Sequence, residues 1–372
     1  MTRTTKYQGI EGMRFYAAFL VYLVHLVGSY STEYLRIPEA DFQVTSANPL
    51  HSGLAYLADG HHGVDVFFII SGFLMARIVL DGQQFNYGRF IWNRFLRIYP
   101  AFLASLVTMT VVWMLLFQAP FKPVDFLLNL VFANAIPNLG ITAYNYVSWS
   151  LGYEFAFYFI VPVLVVMSRH VDRRIAAGLL LVGALVAIPD PVVRMKGLFV
   201  GALIGTFADN ALRRAASWLP LSLLLCAYVL LVAMKGVGSL TYLQFYYALL
   251  VCLSALFIKI VFGQSFLTDF FSSPRMGDLG KLSYSFYLWH PLCVAVTLHF
   301  ILPKAGVTEF PVITAILLTV VSLSLTLGIS AGSYRVFESW YFLRRKKEVA
   351  ADAIAKPGSV ATVGDRVEAA SG

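Results

Sequence analysis

Ten apolar runs of roughly 15 to 23 residues recur along the chain, near 15–30, 63–80, 98–117, 149–168, 175–189, 196–212, 218–235, 240–262, 282–302 and 311–334. A helix needs about 20 mostly apolar residues to cross the hydrocarbon core of a bilayer. Runs of this length therefore read as membrane-spanning helices. Of the 372 residues, 59% are hydrophobic and 13% are charged, where a soluble domain carries about a quarter charged. No polar block is large enough to form a separate soluble domain. The expected fold is all-α: a polytopic integral-membrane helical bundle of about ten transmembrane helices, forming one domain over 1–345. The run at 175–189 is the weakest of the ten. The stretch 124–137 is too short to span and reads as re-entrant or interfacial. Residues 346–372, rich in Ala, Gly, Val and Ser, lack an amphipathic period and read as a disordered tail.

The net charge of +8 does not point to nucleic acid, because the basic residues are scattered between apolar runs and act as topology signals. With the N-terminus in the cytoplasm, the inner loops hold Arg77, Arg89, Arg94, Arg97, Arg169, Arg173, Arg174, Arg213, Arg214, Arg275, Lys281 and the "RRKK" run at 344–347. The outer side holds Arg36, Lys122, Arg194, Lys196, Lys235 and Lys304. The inner excess obeys the positive-inside rule. An even number of spans puts the C-terminus inside as well. Arg3 and Lys6 precede the first run, but no small-residue cleavage site follows it, so it reads as a retained span. Cys226, Cys252 and Cys293 each sit in an apolar run, with neither disulfide nor metal spacing, and read as small core residues.

Ionisable residues inside apolar runs carry the functional signal, because charge at membrane depth is costly and must face a cavity or a partner. In "RFYAAFLVYLVH" (14–25), Arg14 and His25 are eleven residues apart. That is about three turns, so they share a helix face about 16 Å apart along the axis. Arg14 is an interface anchor or the cation of a site. His25 is a neutral histidine bonded to another helix or a proton acceptor. Together they outline a pore-like site, cationic at one end and basic at depth.

Further stretches extend the pattern. "HHGVDVFFIISGF" (61–73) holds Asp65 at its outer end, Ser71, and Gly72, which permits close helix approach. His61, His62 and Asp65 lack a fourth ligand, and adjacent histidines point apart on a helix, so no metal is expected. "RFIWNRFLRIYP" (89–100) places Arg94 and Arg97 on one helix face, with Arg89 about a turn back and Pro100 marking a turn or helix start. These arginines are cytoplasmic anchors or a bidentate fork for phosphates. "WSLGYEFAFY" (149–158) sets Glu154 about one turn into a span, where a carboxylate needs a partner. "SYSFYLWHPL" (283–292) carries Tyr284 and His290; His290 is a second catalytic histidine or a partner to the helix kink at Pro291.

These blocks, in this order, resemble acyltransferase family 3, the integral-membrane O-acyltransferases of bacterial surface polysaccharides. The resemblance runs from Gly9 to about Trp340. "GIEGMRFYAAFLVYLVH" is similar to the family's opening pattern, and "SLGYEFAFY" looks closest to the exopolysaccharide-production branch. Many O-antigen acetylases carry a second acidic residue after the glutamate, where this chain has Phe155. No esterase-like domain follows the last span.

The resemblance implies a multi-pass enzyme of the bacterial cytoplasmic (inner) membrane. It would move an acyl group, acetyl first among them, from cytoplasmic acetyl-CoA or another acyl-CoA to a hydroxyl of an exported saccharide. It implies no permanently bound cofactor, and polysaccharide-assembly proteins as partners beside the bilayer. Position by position, it makes His25 the catalytic histidine, Arg14 its partner and Glu154 the glutamate of the fourth span. It gives Arg94 and Arg97 the acyl-CoA, with Arg89 beside them. Asp65, Ser71, Trp149, Tyr284 and His290 are supporting candidates within the same blocks. Two other readings fit the residues: the same chemistry on a macrolide or periplasmic glucan, or with a succinyl donor, and transport of a lipid-linked sugar. The lack of an internal repeat weighs against the transporter.

Overall fold

The computed structural model describes residues 7–344 apart from 8, 39, 44–45, 59–60, 82–85, 168–171 and 237. The expected tail at 346–372, most of the "RRKK" run and Arg169 lie outside the described residues. The described residues form helices and turns without strands. In chain order the helices are α1 (Ile10–Ser29), α2 (Pro49–Ala58), α3 (His62–Asp81), α4 (Tyr87–Leu116), α5 (Pro123–Leu130), α6 (Trp149–Met167), α7 (Arg173–Ala187), α8 (Lys196–Thr206), α9 (Asp209–Trp218), α10 (Leu221–Gly236), α11 (Tyr242–Phe262), α12 (Phe266–Phe271), α13 (Pro274–Val296), α14 (Leu302–Lys304) and α15 (Pro311–Ser333).

Among the described residues, six helical segments are long and apolar enough to cross a bilayer: Ile10–Tyr34, Pro49–Leu80, Tyr87–Leu116, Tyr242–Phe262, Pro274–Lys304 and Pro311–Arg344. A seventh appears if Asp190–Thr206 and Asp209–Trp218, bent by 108°, count as one span. The sequence suggested ten, and the difference lies in the middle of the chain. Four expected runs there are not among the six: α6 has 19 residues and ends where the described residues break off at 168, and the shorter α7, α8 and α10 have 15, 11 and 16. At 1.5 Å per residue these reach about 22, 17 and 24 Å, short of the ~30 Å core. The run at 196–212 is no single straight span, because the chain turns at Phe207–Ala208 into the charged α9. The stretch 124–137 becomes the eight-residue α5 and a one-turn 3₁₀ helix, too short to cross, as expected.

Two local readings change. Pro100 does not start a helix; it lies inside α4, which is capped by Asn86, whose side chain accepts from the Arg89 N–H at 2.9 Å. Membrane helices tolerate such a proline because neighbouring groups satisfy the freed backbone. Two residues before the proline, Tyr284 on α13 ties down α4 by donating to the Ile98 carbonyl at 2.7 Å. Cys252 and Cys293 are buried, but Cys226 is exposed, because α10 is apolar on all sides and turns that side outward.

The core forms around α1, α3, α8 and α13. Gly197, Gly201 and Gly205 recur every four residues on one face of α8, and Gly72 faces them from α3. A Cβ on Gly72 would overlap the Leu198 carbonyl, and one on Gly201 would overlap that of Ile69. Small residues at this spacing let two helix backbones touch, which is how helices associate where the surrounding lipid is as apolar as the side chains. α13 runs alongside α1 in the same direction: Gly280 abuts Glu11, and His290 meets His25. α15 returns antiparallel, with Ser322 opposite Tyr22 and Ser333 opposite Ser285.

The loop between α5 and α6 is tied down by side chains. Asn129 donates to the Asp125 and Thr142 carbonyls and accepts from the Tyr144 N–H. The Thr142 hydroxyl, together with the Thr142 N–H that Asp125 accepts from at 3.1 Å, holds the Asp125 carboxyl below the usual carboxylate range. Buried Asn145 donates to Ser105 on α4 and to the Leu288 carbonyl on α13. These bonds fix the chain as it enters α6 at Trp149.

Candidate active site

Three arginines from two helices converge on one cavity. Arg14 enters from the first turns of α1, and Arg94 and Arg97 enter from α4. Arg94 and Arg97 are buried, each 7% exposed. Ser71, Glu154, Tyr158, Tyr284 and Tyr287 also line the cavity. Six residues singled out in the sequence therefore meet here: Arg14, Ser71, Arg94, Arg97, Glu154 and Tyr284. Glu154 is the acceptor at the centre; the Ser71 hydroxyl donates to its Oε1, and Tyr158 donates to the same oxygen at 2.6 Å. Three guanidiniums against one lining carboxylate leave the cavity cationic, and low-dielectric walls strengthen its pull on an anion.

Sequence reasoning missed a second carboxylate. Glu338, buried at 2% exposure, lies in the wide π-helical turn that follows α15. It accepts from Ser285 at 2.5 Å and interacts with the charges of Arg97 and Arg14. The signal was present in "RVFESWYF" (335–342) as a lone carboxylate between aromatic residues. The last apolar run had been ended at 334.

The other end of α1 holds a different arrangement. His25 Nδ1 lies 2.8 Å from His290 Nε2, with the two rings nearly parallel. His290 Nδ1 lies 3.3 Å from the Phe286 carbonyl oxygen. A carbonyl only accepts, so His290 carries its proton on Nδ1, and its Nε2 accepts. His25 then donates from Nδ1 and presents an unprotonated Nε2. The order of protons along this chain makes His25 a base aimed away from His290. His25 is thus bonded to another helix, and the residue it meets there is His290. The edge of the exposed Tyr146 ring packs on the His25 ring at 4.9 Å, and His61 lies 6.2 Å from it.

The two ends are separate. Phe67 and Tyr287 line the arginine cavity, and His25 and His290 do not. The Phe67 and Tyr287 rings touch at 5.7 Å, and Tyr287 lies 5.9 Å from His290. The Tyr287 hydroxyl bonds to Ser150 and to the Val147 carbonyl, each at 2.9 Å.

Other candidates fall elsewhere. Arg89 is exposed at the start of α4 and does not line the cavity. Asp65 is buried and pairs with Arg194 at 3.2 Å, while Arg194 also donates to the His61 carbonyl at 3.1 Å. His62 turns away from His61 to pack on Tyr228 and Phe245. Phe155 stacks on Phe132 at 4.9 Å, outside the cavity. Trp149 sits at the head of α6 against Phe68 and Tyr153.

Breaking the Asp65–Arg194 pair leaves a charge without its partner. Asp65→Ala is expected to lower stability by about 3 kcal/mol, the low end for a buried pair, because the Arg194 side chain keeps 22% exposure. Thermal unfolding of purified protein checks this.

A family described as "Acyltransferase domain", the acyltransferase 3 family, matches residues 7–335. Among named relatives, the chain is similar to BcsY of Komagataeibacter xylinus, whose name describes a membrane-bound transacylase. The two are 34% identical over 138 residues, covering 32% of this chain and 34% of that protein. The chain is also similar to the acyltransferase MdmB of Streptomyces mycarofaciens, 27% identical over 181 residues, covering 46% of this chain and 42% of that protein. The matched region thus spans less than half the length of each relative. No solved structure matches the chain.

Proposed function

Because the chain belongs to the acyltransferase 3 family and is a multi-pass membrane enzyme that transfers acyl groups, we propose that it moves an acetyl group from cytoplasmic acetyl-CoA to a hydroxyl of an exported saccharide. The bacterial inner membrane is the proposed location, with both chain ends in the cytoplasm. The observation that carries this reading is the division of labour along α1. An anion cavity of three arginines lies at one end, and a histidine with a free Nε2 lies at the other.

Arg14, Arg94 and Arg97 hold the phosphates of the donor, since guanidinium and phosphate form paired, charge-assisted hydrogen bonds. Glu154, fixed by Ser71 and Tyr158, and Glu338, fixed by Ser285, keep the guanidiniums oriented. The pantetheine arm carries the thioester past Phe67 and Tyr287 toward His25. His25 Nε2 takes the proton of the acceptor hydroxyl as its oxygen attacks the thioester carbonyl. The new C–O bond forms, the C–S bond breaks, and the same proton passes from Nε2 to the departing thiolate. The positive charge on the His25 ring in between is met by the lone pair of His290 Nε2. General base assistance of this kind is worth about 10² to 10⁴ in rate.

Radiolabelled acetyl-CoA supplied to membranes containing the protein and the host glycolipids tests the reading. Label in lipid-linked or polymeric sugar supports it. Label confined to other hydroxyl compounds overturns the saccharide, and absence of both label and CoA binding overturns the donor. In the same assay Arg94→Ala with Arg97→Ala is expected to raise the KM for acyl-CoA about 100-fold. Each lost charged hydrogen bond costs about 1.5 kcal/mol or more. An unchanged donor KM removes the two arginines from donor binding.

A further inference from the structure

A second cavity lies beside the head of α6. It is an open cleft lined by Trp149, Tyr153, Tyr242, Asp190 and Arg194, among others. We propose that this is the acceptor subsite and that it binds a neutral hexopyranose ring. The inference rests on the acyl-transfer reading above and deepens it.

The lining chemistry suits a sugar. The axial C–H bonds of a pyranose carry partial positive charge and lie well against the negative face of an aromatic ring. Trp149, Tyr153 and Tyr242 offer three rings, and Tyr242 is 49% exposed. Around the ring edge a pyranose presents hydroxyls that both donate and accept. Asp190 is exposed and has no hydrogen-bond or ion-pair partner among the described residues, so its carboxylate is available to accept from two of them. Arg194 supplies donors beside it. Its guanidinium is steadied from behind by Asp65 and the His61 carbonyl. One acid, one base and several rings bind a polyol without selecting for net charge.

Position is the second argument, independent of composition. Two lines of contact run from this cavity to the base. Trp149 follows the one-turn 3₁₀ helix Tyr146–Ser148 directly, and Tyr146 packs on the His25 ring at 4.9 Å. Arg194 holds the His61 carbonyl, and the His61 ring lies 6.2 Å from His25. The two cavities are thus linked to the histidine pair through different residues, the second through Tyr146 and His61 and the arginine site through Tyr287, as suits a reaction with two substrates.

The test uses the full-length protein in membranes with radiolabelled acetyl-CoA and a panel of neutral tetrasaccharides built from glucose, mannose or galactose. Wild type should label at least one of them. Trp149→Ala and Asp190→Ala should each raise the KM for that saccharide at least tenfold, leaving the KM for acetyl-CoA unchanged. Trp149→Phe, which keeps a ring, should recover most of the loss. A merely structural role for Trp149 would shift both KM values or lower the yield of folded protein. If wild type labels a saccharide and both variants keep its KM, the subsite is overturned while acyl transfer to sugar stands. If wild type labels none of the panel but labels another hydroxyl compound of the host, the saccharide reading falls and takes the subsite with it.

Discussion

His25→Ala is expected to lower acyl transfer by about 10³-fold, the loss for removal of a positioned general base, while acyl-CoA binding should stay near wild type. The separation follows from geometry. His25 does not line the arginine cavity, so removing its ring leaves the phosphate contacts intact. Single-turnover transfer from labelled acetyl-CoA, with CoA binding measured in parallel, reads both quantities. Retained transfer would take His25 out of the mechanism. The wiring of the pair sharpens the expectation. His290 must accept from His25 Nδ1 at 2.8 Å. Glutamine has a side-chain oxygen that can take that role, and phenylalanine has none. His290→Gln should therefore keep clearly more activity than His290→Phe. Equal loss in the two variants would mean that the hydrogen bond does not orient His25.

The largest structural effect is expected at Gly72. Gly72→Leu puts a branched side chain where the α8 backbone already stands, against the Leu198 carbonyl and the Ala202 nitrogen. Overpacking a filled core costs about 1 to 3 kcal/mol when side chains can move aside. Here the obstacle is backbone, so α3 and α8 must separate. Marginal net stability of about 5 to 15 kcal/mol leaves little room for that. The variant should fail to give a monodisperse peak on size exclusion in detergent. Gly183→Leu on α7, where a Cβ meets nothing within 4 Å, should behave as wild type. Normal folding of Gly72→Leu would show that the two helices do not need their close approach.

Much of the cationic cavity was legible in the sequence, because charged residues in apolar runs must find one another. Arg14, Arg94, Arg97 and Glu154 were each exceptional in their own run, and all four line one space. The histidine pair was half legible. His290 was read as a catalytic residue or a kink partner, and a contact across 265 residues cannot be read from local spacing. Arg194 was counted as an outer-loop charge, yet it closes a buried pair with Asp65. Glu338 was lost because the last run was closed four residues too early. Hydropathy found the long helices but merged α8 with the start of α9. A window average cannot see that a bend of 108° divides one apolar run from its charged continuation.

The short helices on one flank bear on the lipid as well as on the count of spans. α7, which leads into α8 through a short connecting segment, exposes Leu179, Val182 and Val186 and offers about 22 Å of apolar height to a hydrocarbon layer of about 30 Å. A bilayer meets such a mismatch by thinning, which brings headgroups and water down toward the segment Asp190–Met195 that joins these helices. A polar molecule held at the membrane surface would then descend less far on this side than beside the long helices. Transfer rates should accordingly depend on acyl chain length in the surrounding lipid, a variable that acts on this enzyme without touching any of its side chains.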